Sequence, residues 1–451
     1  MSEKPNVIFV FADQWRADAC GYFGNEDVKT PNLDRLAEVS VNVENAVAGC
    51  PVCSPYRASL LTGQYPLTHG VFENDVLLNP TTYSLGKVFK EAGYDTAYIG
   101  KWHLDGSARS AFTPPERRQG FDYWKVLNCT HDYNQSLYYT GRDTKGQVWE
   151  DYDAFAQTRD AQRYIEEHAS GSPFLLMLSW GPPHAPYETA PEGYRALYDP
   201  QNLQLRANVP ERDARQARDQ LAGYYAHITA LDDCIGSLLE SIRDCGIEEN
   251  TLFVFTSDHG DMLGSQGNRK KQQPWEESIH VPFLMRYPKV LRDAPAKCPA
   301  VLDAPDIMPT LLSLCGLNVP DGVEGTDFSP YILGHADGNN TDALLMCPVP
   351  FGQWAKEHGG REYRGVRTPR YTYVRDLNGP WLLYDNQRDP FQLENLCNTP
   401  EYAGVQTELE HKLQRKLENT ADTFEHADVY IRRLQAWGYE ISENGTTRCI
   451  P

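Results

Sequence analysis

Residues 7–11 read Val-Ile-Phe-Val-Phe, and the run is closed by Ala12 and Asp13. Five consecutive apolar residues, all β-branched or aromatic, are typical of a strand buried on both faces of a parallel sheet. The run ends on a carboxylate, and α/β proteins bind their ligands at the carboxyl ends of parallel strands. This stretch therefore predicts the first strand of an α/β sheet, with Asp13 at the edge that binds ligands.

Helix and strand patterns alternate along the chain after this strand. Thr30 and Pro31 predict a helix start, with Thr30 as the N-cap and Pro31 in the first turn. Further helices are predicted near residues 85–92, 152–168 and 220–245, and further strands at 96–99, 174–178 and 252–255. This alternation predicts an α/β fold with a mostly parallel or mixed central sheet that is sandwiched by helices.

The pattern changes after about residue 335. Residues 364–367 and 371–374 have the composition of short antiparallel strands, and a helix is predicted over 408–420. We therefore predict two units: a large catalytic α/β domain over residues 1–340 and a small C-terminal α+β subdomain with an antiparallel sheet over residues 341–451.

The charge balance excludes one class of partner. The chain has 451 residues, of which 62 are acidic and 42 basic, so the net charge is −20. Nucleic-acid binding needs a basic face, so no nucleic acid is expected as a partner, whereas a small anionic substrate needs only a locally positive pocket. No apolar run approaches the roughly 18 residues that span a bilayer, so no membrane partner is expected. We expect a cytoplasmic protein if the N-terminus is native, and a periplasmic or secreted one if a leader was removed.

The cysteines do not form a recognisable framework. There are eleven, scattered along the chain and odd in number, which argues against a disulfide scaffold. Cys50 and Cys53 form a C-x-x-C pair, so a redox or zinc site has to be considered. No second such pair and no paired histidine spacing accompanies it, which makes zinc the weaker interpretation.

Polar side chains with catalytic potential follow four predicted strands. They are Asp13, the pair Lys101 and His103, His184, and Asp258. One such residue would be incidental, but four strand ends that meet at the same edge of a sheet predict a single site.

Two of these strand ends carry doublets of potential metal ligands, Asp13-Gln14 and Asp258-His259. Carboxylate and amide oxygens suit a hard cation such as calcium or magnesium. The imidazole of His259 would be more favourable for manganese. We therefore expect Ca²⁺, with Mn²⁺ or Mg²⁺ as alternatives. A single Asp would more often be a turn or cap residue; the two doublets together favour a metal site.

Three further segments carry a family resemblance: residues 53–63 (CSPYRASLLTG), 100–104 (GKWHL) and 182–186 (PPHAP). With the two doublets, they resemble the formylglycine-dependent (type I) sulfatases of the alkaline-phosphatase-like superfamily. The resemblance implies that a formylglycine-generating enzyme oxidises Cys53 to an aldehyde, whose hydrate is the nucleophile. Pro55 and Arg57, which that enzyme reads, are intact. Tyr56 stands where the family most often has Ser or Ala.

The same resemblance implies roles for the other polar residues. Arg57 would hold the hydrate, and Lys101 would contact sulfate. His103 would remove the proton from the remaining hydroxyl, which expels sulfate and regenerates the aldehyde. His184 would bind sulfate and help to protonate the leaving alcohol, and Lys271, chosen by its spacing to an aromatic-Glu pair and a proline, would be the second sulfate-binding lysine. The implied metal ligands are Asp13, Gln14, Cys53, Asp258 and His259, and Asp258 would also assist deprotonation of the nucleophile.

The resemblance implies a sulfuric ester hydrolase that acts on a sulfated carbohydrate, taken as a small molecule or an oligosaccharide. The alternative is a phosphonate monoester hydrolase or phosphodiesterase of the same superfamily, which shares the cysteine segment, a Gln in the first doublet and a His in the second; Lys101 and His103 favour sulfate. A non-enzymatic binder with unoxidised Cys53 is a further alternative. Candidate pocket residues are His69, Asn74, His131, Tyr133 and Arg361.

Overall fold

The fold is built on a ten-stranded sheet, seen in a computed structural model that describes residues 4–106, 108–441 and 447–449. In chain order the strands are β1 (Asn6–Asp13), β2 (Val41–Val47), β3 (Asp95–Lys101), β4 (Tyr123–Leu127), β5 (Leu137–Thr140), β6 (Gln147–Val148), β7 (Phe174–Pro183), β8 (Thr251–Ser257), β9 (Phe283–Arg286) and β10 (Lys297–Asp303). Their order across the sheet is β10-β2-β9-β8-β1-β7-β3-β4-β5-β6. The centre is parallel, whereas β9 and β5 run antiparallel to their neighbours.

Helices cover both faces of this sheet. They are α1 (Pro31–Glu38), α2 (Cys53–Thr62), α3 (Pro66–His69), α4 (Leu85–Glu91), α5 (Asp153–His168), α6 (Glu192–Arg195), α7 (Ala214–Asp244), α8 (Glu276–Ile279), α9 (Pro288–Leu291), α10 (Ala304–Leu314) and α11 (Ser329–Ile332). Alternate residues of β1 enter different cores: Phe9 packs with residues of α2 and α10, and Val10 packs with residues of α5 and α7. Because both faces of β1 are buried, its sequence is apolar without interruption.

A separate antiparallel sheet follows, with strands in the order β11 (Ala343–Cys347), β12 (Tyr363–Arg367), β13 (Tyr371–Asp376) and β14 (Gly379–Asp385). Helices α12 (Ala403–Asn419) and α13 (Ala427–Ala436) and the hairpin of β15 (Tyr439–Ile441) and β16 (Thr447–Cys449) complete the described chain. Cys50 and Val52, from the loop before α2, are part of the core beneath this sheet. The domain boundary at 340/341 stays a prediction.

The predicted fold class is confirmed, and each predicted helix and strand overlaps an observed one. Thr30 does occupy the N-cap position of α1, but its side chain does not cap the helix. Its hydroxyl instead donates to the side chain of Asp34, in the same helix, and accepts a hydrogen bond from the backbone N–H of Gly21. Among the described residues, none of the helices has the length and apolar content required to cross a membrane.

Candidate active site

Four neighbouring strands deliver polar side chains to one place. Asp13 is the last residue of β1, Lys101 the last of β3, His184 follows β7, and Asp258 follows β8. These strands lie side by side in the order β8-β1-β7-β3. All four side chains are buried. The convergence predicted from the strand ends is therefore present in the fold.

Cys53 lies in the middle of this group, at the first position of α2. Its Sγ is 2.9 Å from Lys271 Nζ, 3.2 Å from His259 Nε2 and 3.7 Å from Asp13 Oδ1. Every residue of α2 is buried, so the helix fixes the position of the cysteine firmly. The N-terminus of a helix also favours negative charge on a group placed there.

The charges around Cys53 act on its ionisation. Burial and the neighbouring Asp13 would raise the pKa of the Cys53 thiol, yet nearby cations hold this pKa well below its usual value. These cations are Lys101, Lys271 and His259. The pocket therefore stabilises an anionic atom at the position of Sγ.

Arg57 lies one helical turn after Cys53 and on the same face of α2. Its Nη2 contacts Asp13 Oδ2 at 3.2 Å and Asp258 Oδ2 at 3.0 Å, and its Nη1 donates to Ser179 Oγ at 2.7 Å. Only 1% of its side chain is exposed. The guanidinium thus joins the ends of β1 and β8 to the helix that carries the cysteine.

One atom from each of Asp13, Cys53, Asp258 and His259 falls within 4.8 Å of the others, as a metal ion would require. Gln14 adjoins this group: its backbone N–H donates to Asp258 Oδ1 at 3.0 Å, and its side-chain oxygen Oε1 is buried without a hydrogen-bond partner. Carboxylate oxygens, an unsatisfied amide oxygen and an imidazole fit a divalent cation.

A histidine and two lysines line the same space. Lys101 Nζ donates to Asp13 Oδ2 at 2.5 Å, and Lys271 is the lysine in contact with Cys53. The ring of His184 donates from Nδ1 to the carbonyl of Ala185 at 2.7 Å. Burial, reinforced by Lys271, holds the pKa of His184 well below its usual value. The neutral form of His184 is therefore favoured.

His103 is held by a partner that the sequence did not indicate. Its Nε2 is 3.0 Å from Asp75 Oδ1, and Arg109 Nη2 donates to Asp75 Oδ2 at 2.8 Å. Burial would lower the pKa of His103, but Cys129 and Asp75 raise it to about 9. The sequence offers only a weak signal for Asp75, namely its position directly after the candidate pocket residue Asn74.

The candidate pocket residues divide into two groups. Asn74 accepts from the backbone N–H of Ser54, His131 stacks on His184 with ring centroids 4.5 Å apart, and Tyr133 donates to the carbonyl of His184. His69 and Arg361 instead bond to Ser59 and Asp376 respectively. The first group therefore borders the site.

The two cysteines of the C-x-x-C pair have electrostatically different surroundings. Cys50 and Cys53 are both free thiols. Burial raises the pKa of Cys50 to about 12, which makes a thiolate ligand unfavourable there. Cys50 is also absent from the one group of potential metal ligands among the described residues.

Comparison with protein families decides the relationship. The sulfatase family model matches residues 5–317. The chain belongs to the sulfatase family. A second model, for the C-terminal part of N-sulphoglucosamine sulphohydrolase, matches residues 264–419 of this sulfatase. The predicted family and the enzyme class are therefore confirmed.

Individual relatives agree with this assignment. An ulvan-active sulfatase of Formosa agariphila is 45% identical over 433 residues, which are 95% of this chain and 84% of the relative. An endo-4-O-sulfatase of Bacteroides thetaiotaomicron is 32% identical, with 88% of each chain covered.

Solved structures match as well. One whose description concerns the metabolism of multiple glycosaminoglycans by Bacteroides thetaiotaomicron has a TM-score of 0.84 and 29% identity, and covers 96% of this chain and 99% of its own. A phosphonate monoester hydrolase of Agrobacterium radiobacter has a TM-score of 0.75, covers 99% of this chain and 100% of its own, and at 22% identity shares the fold alone.

Proposed function

We propose that this sulfatase removes sulfate from a sulfated carbohydrate, with Cys53 matured to formylglycine by a formylglycine-generating enzyme. The observation that carries the proposal is the position of Cys53 Sγ, at a buried helix N-terminus and 2.9 Å from Lys271 Nζ. Sγ marks where an oxygen of the matured residue would stand. As an aldehyde hydrate, that residue would supply the hydroxyl that attacks sulfur.

A divalent cation belongs to the same proposal. Asp13, Gln14, Asp258 and His259 would hold it, together with the matured residue 53. Ca²⁺ is favoured by the oxygen ligands, and Mn²⁺ or Mg²⁺ are alternatives. When bound, such an ion supplies a Lewis acid that draws negative charge from the oxygens of nucleophile and sulfate.

The remaining residues bind the anion and move protons. Lys101 and Lys271 would neutralise the sulfate oxygens as charge develops in the transition state. A bound sulfate raises the pKa of His184, since a nearby anion favours the imidazolium, and the proton thus acquired is available to the leaving alcohol. His103, oriented by Asp75 through Nε2, would accept the proton that restores the aldehyde in its neutral form; maturation removes the Cys53 thiol, which is one of the groups that raise the pKa of His103 to about 9.

A carbohydrate is the favoured leaving group because of the relatives. By their names, the first of the two relatives above acts on ulvan and the second is an endo-4-O-sulfatase. The 45% identity to the first extends over almost the whole chain. We therefore place the substrate among sulfated saccharides, offered as a small molecule or an oligosaccharide.

The second candidate function is hydrolysis of phosphonate monoesters or phosphodiesters. It is favoured by Gln14 and His259, which match that branch of the superfamily. It is opposed by Lys101 and His103, which both lie in the pocket, and by the difference in identity between the relatives, 45% for a sulfatase against 22% for a phosphonate hydrolase of similar fold.

The test is a comparison of substrates for enzyme co-expressed with a formylglycine-generating enzyme. We expect sulfate release from members of a panel of sulfated mono- and oligosaccharides, beside a generic aryl sulfate and an aryl phosphonate. Turnover of the phosphonate alone would assign the protein to the alternative branch and would make Lys101 and His103 bystanders.

Mass spectrometry of the peptide that contains Cys53 tests the maturation directly. Conversion of the thiol to an aldehyde lowers the peptide mass by about 18 Da. We expect this loss in enzyme produced with the maturation system and an unchanged mass without it. An unmodified cysteine under both conditions would favour the non-enzymatic binder.

Metal removal should reduce stability as well as turnover. Asp13 and Asp258 share a buried space, so a cation that binds between them stabilises the folded state; at one hundred times its Kd the gain is about 2.7 kcal/mol. We expect chelator-treated protein to melt at a lower temperature and to recover on addition of Ca²⁺. A melting temperature that none of Ca²⁺, Mn²⁺ and Mg²⁺ changes would contradict the site.

A further inference from the structure

Asp261 lies just behind the candidate metal site and is fully buried. Its Oδ2 accepts hydrogen bonds from the Gln14 side-chain amide, Nε2 at 2.6 Å, and from the hydroxyl of Tyr187. Its Oδ1 accepts from the backbone N–H groups of Leu263 and Lys270, both at 3.0 Å. Four donors thus converge on one buried carboxylate, which is a favourable arrangement for a buried acceptor group.

The carboxylate determines which way the Gln14 amide faces. A carboxylate oxygen only accepts hydrogen bonds, so the amide must turn its NH₂ group towards Asp261. The flipped amide would bring two acceptor oxygens about as close as Nε2 and Oδ2 are now, which is repulsive. The consequence is that Oε1 faces away from Asp261, and this oxygen is the buried atom without a partner.

The backbone of Gln14 supports the same arrangement. Its φ angle of 72° lies in the left-handed region, which costs free energy for a residue other than glycine. The strained conformation directs the backbone N–H to Asp258 Oδ1, at 3.0 Å. Both the backbone N–H and the side-chain NH₂ group are therefore fixed by carboxylates, and Oε1 is the side-chain atom left without a partner.

We propose that Asp261 is a positioning residue for a divalent-cation site: it fixes the Gln14 amide so that Oε1 is presented as a ligand. The proposal rests on the metal site of the proposed function. It also explains how a neutral amide serves there, because a hydrogen bond to a buried anion increases the negative charge on the amide oxygen. Gln14 itself is uncharged, and the carboxylate of Asp261, which accepts from its amide, supplies the negative charge.

The test is the affinity of the full-length chain for Ca²⁺ and Mn²⁺, measured by calorimetry on chelator-treated protein. In Asp261→Asn the side chain keeps an oxygen for the N–H groups of Leu263 and Lys270 and turns its NH₂ group towards Gln14, so the Gln14 amide flips and presents Nε2 in place of Oε1. We expect the affinity to fall about 10- to 100-fold. Tyr187→Phe, which removes a donor to Asp261 and leaves the amide orientation enforced, should change the affinity much less.

The double variant Gln14→Glu with Asp261→Asn separates positioning from general structure. A carboxylate at position 14 would accept from the NH₂ of an asparagine at 261, while its second oxygen stays available to the cation; the Tyr187 hydroxyl can accept as well as donate. We expect the double variant to bind Ca²⁺ more tightly than Asp261→Asn alone. Gln14→Glu alone is the matched control, because there two carboxylates face each other: a gain from the added charge alone would appear equally with Asp261 and with asparagine at 261, whereas positioning predicts a larger gain with asparagine.

The outcomes distinguish the two proposals. Wild-type affinity in Asp261→Asn, or a double variant no tighter than Asp261→Asn, overturns the role of Asp261 and leaves the metal site intact. A wild-type chain that binds neither Ca²⁺ nor Mn²⁺ overturns the metal site itself, and the role of Asp261 with it.

Discussion

Cys53→Ala will release no measurable sulfate from any ester that the wild-type enzyme hydrolyses, and it will still bind the divalent cation. The methyl group offers no precursor for the aldehyde, so the nucleophile is lost, and the expected fall in kcat is about 10⁴-fold or more. Asp13, Gln14, Asp258 and His259 all remain in the variant. Sulfate release and calorimetric Ca²⁺ titration of the same preparation measure the two expectations side by side.

A cysteine away from the pocket provides the control. Cys397 is a half-buried free thiol in the C-terminal part of the chain, and Cys397→Ala should leave turnover unchanged. Full activity in Cys53→Ala would contradict the nucleophile assignment. Loss of Ca²⁺ binding together with activity would instead make the cysteine side chain essential to the metal site.

The centre of the fold was predictable because its strands are buried on both faces. β1, β3, β7 and β8 lie in the middle of the sheet, and such strands appear in a sequence as uninterrupted apolar runs. β2, β9 and β10 lie on one side of β8 and were not predicted. β9 has only four residues and runs antiparallel, so its local pattern does not distinguish it from a loop.

The site was predictable as far as its residues follow strands or lie in the cysteine segment. Asp13, Lys101, His184 and Asp258 were identified because a strand ends at or just before each one. Asp261 was not, although it lies three residues after Asp258. Its importance depends on contacts with residues nearly 250 positions away, such as Gln14, and local sequence carries no record of such contacts.

Arg57 shows that local sequence also gives little information about how much a side chain contributes to stability. Considered alone, an arginine two residues after a proline would more often form a surface ion pair, which contributes little to stability. In the folded chain it is buried and bonded to two carboxylates, so its removal has large consequences. The sequence indicated the residue through its segment and gave no measure of its burial.

Arg57→Met should destabilise the metal-free protein and abolish turnover. Asp13 keeps Lys101 as a partner, but Asp258 loses the cation that contacts its Oδ2 at 3.0 Å. Breaking a buried ion pair on one side costs at most about 3–5 kcal/mol, and here His259 Nε2, 3.5 Å from Asp258 Oδ1, compensates part of the charge that is left. We expect the free energy of unfolding in denaturant to fall by up to this amount, with thermal unfolding as an independent measurement.

Saturating Ca²⁺ and the conservative variant Arg57→Lys show whether the loss of stability in Arg57→Met is electrostatic. A cation bound between Asp13 and Asp258 replaces part of the missing positive charge, so saturating Ca²⁺ should recover more stability in Arg57→Met than it adds to the wild type. Arg57→Lys keeps the charge but places it on one nitrogen, whereas Arg57 uses separate nitrogens for Ser179 and for the two carboxylates, and the variant should fall between the two. If Arg57→Met is as stable as the wild type without metal, Asp258 is protonated in the metal-free fold, and the ion pair makes no contribution to its stability.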